Sequence, residues 1–209
     1  MIKLKATIDD KISIDSRNAI SMERNIQDRS DFELPSFGII SNSGSLKFVD
    51  TDGSIRKLAE YNQLKNGMYA KIELVDTLSG ISSVVGTMLT QDWNYDVNNK
   101  QVSVKLHDGL SEWQNIQIPK LYYSASRTPI YGYNIYRIFH SYVPSSYNML
   151  SYNELDSITQ ARILSSNVRP LICDASTLWS GFNEFCQFLQ LHIYRNGAGQ
   201  TVCKYNGGN

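Results

Sequence analysis

The residues of this chain that could do chemistry are few and far apart. Cys173, Asp174 and His192 are the types that a nucleophile, an orienting acid and a base require, because a thiol is activated by an imidazole that a carboxylate holds in place. Cys173, however, follows Leu171 and Ile172 in a short apolar run that reads as a strand, and a thiol in apolar surroundings is inert. His107, His140 and His192 fall in three different expected elements, so their spacing supports neither a metal site nor a triad. Asp9, Asp10 and Asp15, and the pair Asp50 and Asp52, supply clustered oxygens of the kind calcium takes. The run from Asp50 to Gly53 is too short for a helix-flanked calcium loop and no Glu closes it, so turn-forming aspartates are the simpler reading.

Cys173, Cys186 and Cys203 are too widely spaced for a disulfide framework and lack the close pairs of a zinc site; they read as buried reduced thiols. No GxSxG, HExxH, GxxxxGK[ST] or strand-borne GxGxxG occurs, and the glycines at 197 and 199 belong to a hairpin rather than a phosphate loop. The expectation is a protein that is not an enzyme, with no catalytic, cofactor-binding or metal-binding residues and no cofactor.

Aromatic residues give a second kind of chemistry. Of 13 tyrosines, Tyr122, Tyr123, Tyr131, Tyr133, Tyr136, Tyr142, Tyr147 and Tyr152 cluster together, and Tyr suits interfaces as well as cores. Three readings follow, in order of preference: helix packing, a subunit contact, and a sugar platform in which Trp93 and Trp113 would join the tyrosines.

The elements that must position these residues follow from periodicity. Alternation marks strands at Lys11–Asp15, Tyr69–Asp76, Ser82–Trp93 and Gln101–His107, with shorter pieces at Asp31–Pro35, Gly38–Ser41 and Ser45–Thr51. Ile55, Leu58 and Ala59 stand at helical spacing, with Asn66 and Gly67 as a stop. A short helix or loop is expected around Leu110 and Trp113. Beyond Pro119 the pattern changes to amphipathic helices over Thr128–Val143 and Tyr152–Leu164, then a strand within Asn167–Asp174. Leu178, Phe182, Phe185 and Leu189 form one helical stripe, and His192–Arg195 and Thr201–Tyr205 pair across a turn at Asn196–Gly199.

The fold class expected is α+β, an N-terminal mainly-β, barrel-like domain over residues 1–120 followed by a smaller α/β domain of strand, helix and hairpin over 166–209. Residues 121–165 form a helical connection between them. Twenty basic and 20 acidic residues cancel, so no global field favours nucleic acid or an anionic membrane, and partners are recognised by shape. The apolar runs are too short for a membrane helix, and the N-terminus lacks the apolar core of a secretory signal, so a soluble protein made in the cytosol is expected.

Two blocks carry a resemblance: GMYAKIELVDTLSGISSVVGTMLTQDWNYDVNNKQVSVKLHDGLSEWQNI and TLWSGFNEFCQFLQLHIYRNGAGQTVCKYN. In this order they resemble the tail hub or baseplate hub proteins of long-tailed phages of Gram-positive-type hosts. The resemblance implies a structural virion protein located in the tail and made in the host cytoplasm. It further implies a β-barrel packed around the tail axis in a homo-oligomeric ring, commonly a trimer, with other phage tail proteins as partners. No membrane and no sequence-specific nucleic-acid binding are expected among its partners. By this resemblance Asp92, Trp93, Val102, Val104 and Leu106 belong to the barrel strands, and Leu110 and Trp113 to the segment that closes it. Leu178 and Trp179 open the later helix, Ile193 and Tyr194 lie in its following strand, and Asn196–Gly199 form the turn. Hub proteins usually continue into further domains, whereas this sequence stops soon after the hairpin, as expected of a truncated chain, a split hub or a related tail component. From a different functional class, a carbohydrate-binding or adhesion module is the alternative.

Overall fold

The computed structural model describes residues 2–27, 37–118, 130–165, 167–168 and 176–205. In chain order its elements are β1 (Ile2–Ile8), β2 (Ile12–Ile14), β3 (Ser21–Gln27), β4 (Gly38–Ile39), β5 (Ser41–Val49), α1 (Ser54–Glu60), β6 (Tyr69–Asp76), β7 (Ser82–Asp96) and β8 (Gln101–His107). There follow β9 (Ile130–Tyr131), α2 (Gly132–Tyr142), α3 (Ser157–Ser165), β10 (Asn167–Val168), α4 (Leu178–Leu189), β11 (Leu191–Arg195) and β12 (Thr201–Tyr205). The residues group into two compact units, one of Met1–Gln27, Asn42–Asp108 and Gly197–Gly199, the other of Asp28–Ser41, Gly109–Asn196 and Gln200–Asn209.

The first unit is a seven-stranded sheet in the order β2-β1-β6-β7-β8-β5-β3. Its ladders from β2 through to β5 are antiparallel. Alternation decides which face is buried: Val102, Val104 and Leu106 of β8 point into the core while Lys105 points out. Ala6, Ile8, Leu46, Phe48, Ala70 and Ile72 complete one apolar layer. The 15-residue β7 is bent by register shifts opposite Ile72/Glu73 and at Gln91/Trp93, where Asp92 takes a positive φ of 50°.

The two edges of this sheet, β2 and β3, are consecutive in sequence. Only six residues lie between Ile14 and Ser21, and three of them form a tight 3-10 turn at Ser16–Asn18. Even fully extended, that link spans at most about 25 Å. Crossing a flat seven-stranded sheet takes about 29 Å. The sheet therefore curls, bringing its first and last strands towards each other.

Helix α1 is shorter than its sequence periodicity suggests, because Asn62 adopts the left-handed conformation (φ 53°) and ends it well before Asn66 and Gly67. Its buried Ile55 joins the sheet's core.

The second unit is organised around α4. A reciprocal capping box starts the helix, with the Ser180 N–H donating to Thr177 Oγ1 at 3.2 Å and the Thr177 N–H to Ser180 Oγ at 3.1 Å. The stripe of Leu178, Phe182, Phe185 and Leu189 is buried as its spacing requires. Against it pack Ile135, Tyr136 and Phe139 of α2 and Trp113 from a 3-10 turn at Leu110–Asn115. Gly181 makes the α2–α4 approach possible: a Cβ there would lie 2.9 Å from the Phe139 ring. The three-stranded sheet of this unit is β12-β11-β4, with β4 parallel to β11. Asn183 on α4 fastens β4 by accepting the Ile39 N–H at 2.9 Å. Among the described residues no helix is long and apolar enough to cross a membrane.

Candidate interaction surfaces

The side chains singled out for chemistry serve turns and cores. Asp50, buried at the start of α1, accepts the Arg56 N–H at 2.9 Å, the Ile55 N–H at 3.3 Å and the Tyr95 hydroxyl at 3.3 Å. Asp52 accepts the Ser54 N–H at 3.0 Å, and Asp15 accepts the Arg17 N–H at 2.8 Å while pairing with its guanidinium. Asp9 and Asp10 hold positive φ in the β1–β2 turn, and Asp9 Oδ1 accepts the Tyr69 N–H at 2.8 Å. Among the described residues no cluster of His, Cys, Asp or Glu could hold a metal ion.

The three histidines stand in separate elements, His107 in β8, His140 in α2 and His192 in β11. His140 Nε2 holds the Met149 carbonyl at 3.1 Å, and His192 lies 5.2 Å from the Phe37 ring. Cys173 and Asp174 lie outside the described residues. Cys186 and Cys203 are buried and reduced; burial, followed by the contact with Cys203, pushes the Cys186 thiol well above its ordinary range, which makes it a poor nucleophile.

Of the aromatic cluster, Tyr136 and Tyr147 are buried. The Tyr136 hydroxyl donates to the Leu150 carbonyl and the Tyr147 hydroxyl to the Glu112 carboxylate, each at 2.6 Å. Tyr133 and Tyr152 meet edge to face at 4.7 Å, and Tyr131 is half exposed. Tyr122 and Tyr123 lie outside the described residues. Trp113 is wholly buried, and Trp93 rests on the first unit's core with its indole N–H donating to the Lys65 carbonyl at 3.1 Å. The Trp113 ring is therefore not a stacking platform, and Trp93 is half-buried.

No family model matches the chain, and no curated protein matches it in sequence. In fold it is similar to the tail protein from Neisseria meningitidis MC58, with a TM-score of 0.54 and 12% identity over 99% of this chain and 52% of that one. It is also similar to the 43 kDa tail protein of prophage MuSo2 from Shewanella oneidensis, with a TM-score of 0.51 and 8% identity over 100% of this chain and 57% of that one. Its structural neighbours are phage tail proteins. The chain spans about half the length of each. At these identities the likeness is one of fold.

With tail proteins as the frame, the surfaces that stand out are apolar. The β6–β7 hairpin carries Leu78 (88% exposed) and Ile81 (70%) on its turn, and Ile2 (69%) lies beside it at the start of β1. Ile2, Leu4 and Leu74 share the face of Ala6 and Ile72, so the apolar face of β1 and β6 continues past the end of the core. Alternation in β1 and β6 is the sequence signal for this continuation; Leu78 and Ile81 have no periodic signal, because a turn has no period. A depression of about 860 Å³ between β2 and α1 is rimmed by Lys11, Arg17 and Lys57, but Arg17 is held by Asp15 and the floor residues Ile12, Ile14 and Ile55 are already buried.

Proposed function

We propose that this chain is a structural virion protein of a phage tail tip or baseplate hub, acting as one subunit of a ring. The fold likeness to two tail proteins over essentially the whole chain is the observation that carries the reading. On this view the first unit, rather than the whole of residues 1–120, supplies a barrel-like ring wall. Residues 121–165, expected as a connection, join 166–209 in the second, α/β unit, since α2, α3 and α4 share one core there. The short link between the edge strands β2 and β3 supports a barrel-like closure, because it forces the sheet to curl. The mechanism is geometric: subunits, three in the expected ring, surround an axis and offer docking faces to other tail proteins. No catalytic step, cofactor, membrane or sequence-specific nucleic-acid contact enters it. Burial of Trp113 weighs against the carbohydrate-binding alternative. The location that follows is the virion tail, after synthesis in the host cytoplasm.

Native mass measurement combined with particle imaging tests the reading. The expected result is a closed ring of defined copy number that incorporates neighbouring tail proteins. A chain that stays monomeric at high concentration, alone and with those proteins, overturns it.

A further inference from the structure

We infer that the trough running from β2 along α1 and past the end of that helix binds an acidic saccharide. The site lies in the first unit, away from the aromatic cluster of the second, and is independent of the ring reading. The depression of about 860 Å³ between β2 and α1 adjoins another of about 480 Å³, and Lys11, Ile12 and Leu58 line both. Each volume falls within the range of small-ligand sites, about 300–1,000 Å³.

The floor of the trough is closed. Ile12, Ile14, Phe48 and Ile55 are at most 5% exposed, so a lipid-like ligand finds no apolar bed there. The walls are polar instead. Ser13 and Ser54 in the larger depression, and Asn62 and Gln63 in the smaller, are exposed hydroxyls and amides, which both donate and accept. Beside the two amides stands Tyr61, 73% exposed. A pyranose has an apolar face of C–H groups and a rim of hydroxyls, and an exposed phenol ring next to amides meets both.

Charge narrows the class of ligand. Lys11 and Lys57 line the larger depression, and Lys11 and Lys65 the smaller; all three are exposed and form no ion pair among the described residues. Arg17 adds no free cation, because Asp15 holds it at 2.7 Å. Two carboxylates share the trough: Asp9, which accepts the Tyr69 N–H at 2.8 Å, and Asp52, which accepts the Ser54 N–H at 3.0 Å. Three unpaired lysines against two carboxylates, in a chain whose basic and acidic residues cancel, ask for a ligand that carries spaced anionic groups and hydroxyl donors together. A nucleic-acid strand brings phosphates that the carboxylates repel, and it stacks on successive rings where this trough offers one. An acidic peptide would dock by strand addition to β2, which is only three residues long. An acidic saccharide satisfies every group: its ring face rests on Tyr61, its hydroxyls donate to Asp9 and Asp52, and its anionic substituents meet the lysines.

Titration calorimetry of the full chain with tetragalacturonate tests this, with the fully methyl-esterified tetramer as the uncharged control, and circular dichroism and thermal melting as a check on folding. Tetragalacturonate should bind about tenfold more tightly than the ester and lose that advantage in high salt. Tyr61→Ala should weaken both ligands about tenfold, since the ring meets the sugar face that they share. Lys11→Gln with Lys57→Gln should weaken tetragalacturonate alone. Absence of binding at millimolar tetragalacturonate, or binding that these variants leave unchanged, overturns the site. Tighter binding of hexaglutamate or of a single-stranded oligothymidylate replaces the saccharide by a peptide or a nucleic acid, and inorganic phosphate that binds as tightly reduces the trough to an anion site; each of these outcomes also overturns it. None of them touches the ring reading, whose test is the native mass.

Discussion

The two units bury their residues by different means. The first buries one face of a sheet, and its core is almost wholly aliphatic, with Phe48 the large ring among Ile, Val, Leu and Met. The second buries a helix in a nest of rings: Phe182 of α4 lies 5.4 Å from Trp113 and 5.2 Å from Phe139. An aliphatic layer spreads its stabilisation over many small increments, whereas an aromatic nest concentrates it in a few large side chains. The first unit should therefore tolerate single losses that the second does not.

The strongest test is Phe182→Ala. It should cost about 3–5 kcal/mol, as removal of a buried aromatic does, and in chemical denaturation the emission of Trp113 and Trp179 should shift before that of Trp93. Simultaneous loss of all three signals would break the contrast between the cores. In the first unit, Asp50→Ala leaves the Ile55 and Arg56 amides and the Tyr95 hydroxyl without their acceptor. A loss of about 1–3 kcal/mol is expected, with Asp50→Asn milder because an acceptor oxygen remains; the denaturation midpoint measures both.

Alkali sharpens the comparison. Burial, then the neighbouring Cys203 and Cys186, raises the Tyr136 phenol far above its ordinary value. Because the folded value is raised, this stabilisation is complete below the unfolded phenol range near about 10 and is lost as pH rises beyond it. The second unit should open first in base, and Tyr136→Phe should remove that step, read from the Trp113 and Trp179 emission against pH. Acid gives the smallest effect. The hydrogen bond and ion pair to Lys71 at 2.8 Å, opposed by burial, hold Glu73 below its ordinary range. That stabilisation is present above the unfolded carboxylate range near about 4.3 and fades as pH falls through the lower folded value. Glu73→Gln should flatten the acid limb followed by Trp93.

What the sequence made legible tracks the same division. β6 and β8 coincide with Tyr69–Asp76 and Gln101–His107, because a sheet with one buried face writes strict alternation into its strands. The α4 stripe was equally plain. β1 is not evident from the sequence, although Ile2, Leu4, Ala6 and Ile8 alternate with polar residues, because its inward face outruns the core and its full-length partner β6 lies about 60 residues away. β3 escaped for a related reason: an edge strand with Ser21, Glu23 and Arg24 carries little apolar signal. The place of β4 beside β11 was out of reach, since two residues have no period and their partner lies far along the chain. The exposed apolar surface at the β6–β7 turn was hidden too. Leu78 and Ile81 in a turn look like ordinary loop residues until the hairpin that carries them is seen to extend past its core.

The fastening of β4 by Asn183 has a consequence for synthesis. Ile39 must wait for a residue 144 positions later. At ribosomal speeds of about 5–20 residues per second, that is a delay of roughly 7–30 s in which the parallel β4–β11 pair cannot exist. The second unit is thus completed only after α4 and β11 have been made, so nascent chains crowded on one message carry this unit incomplete until then.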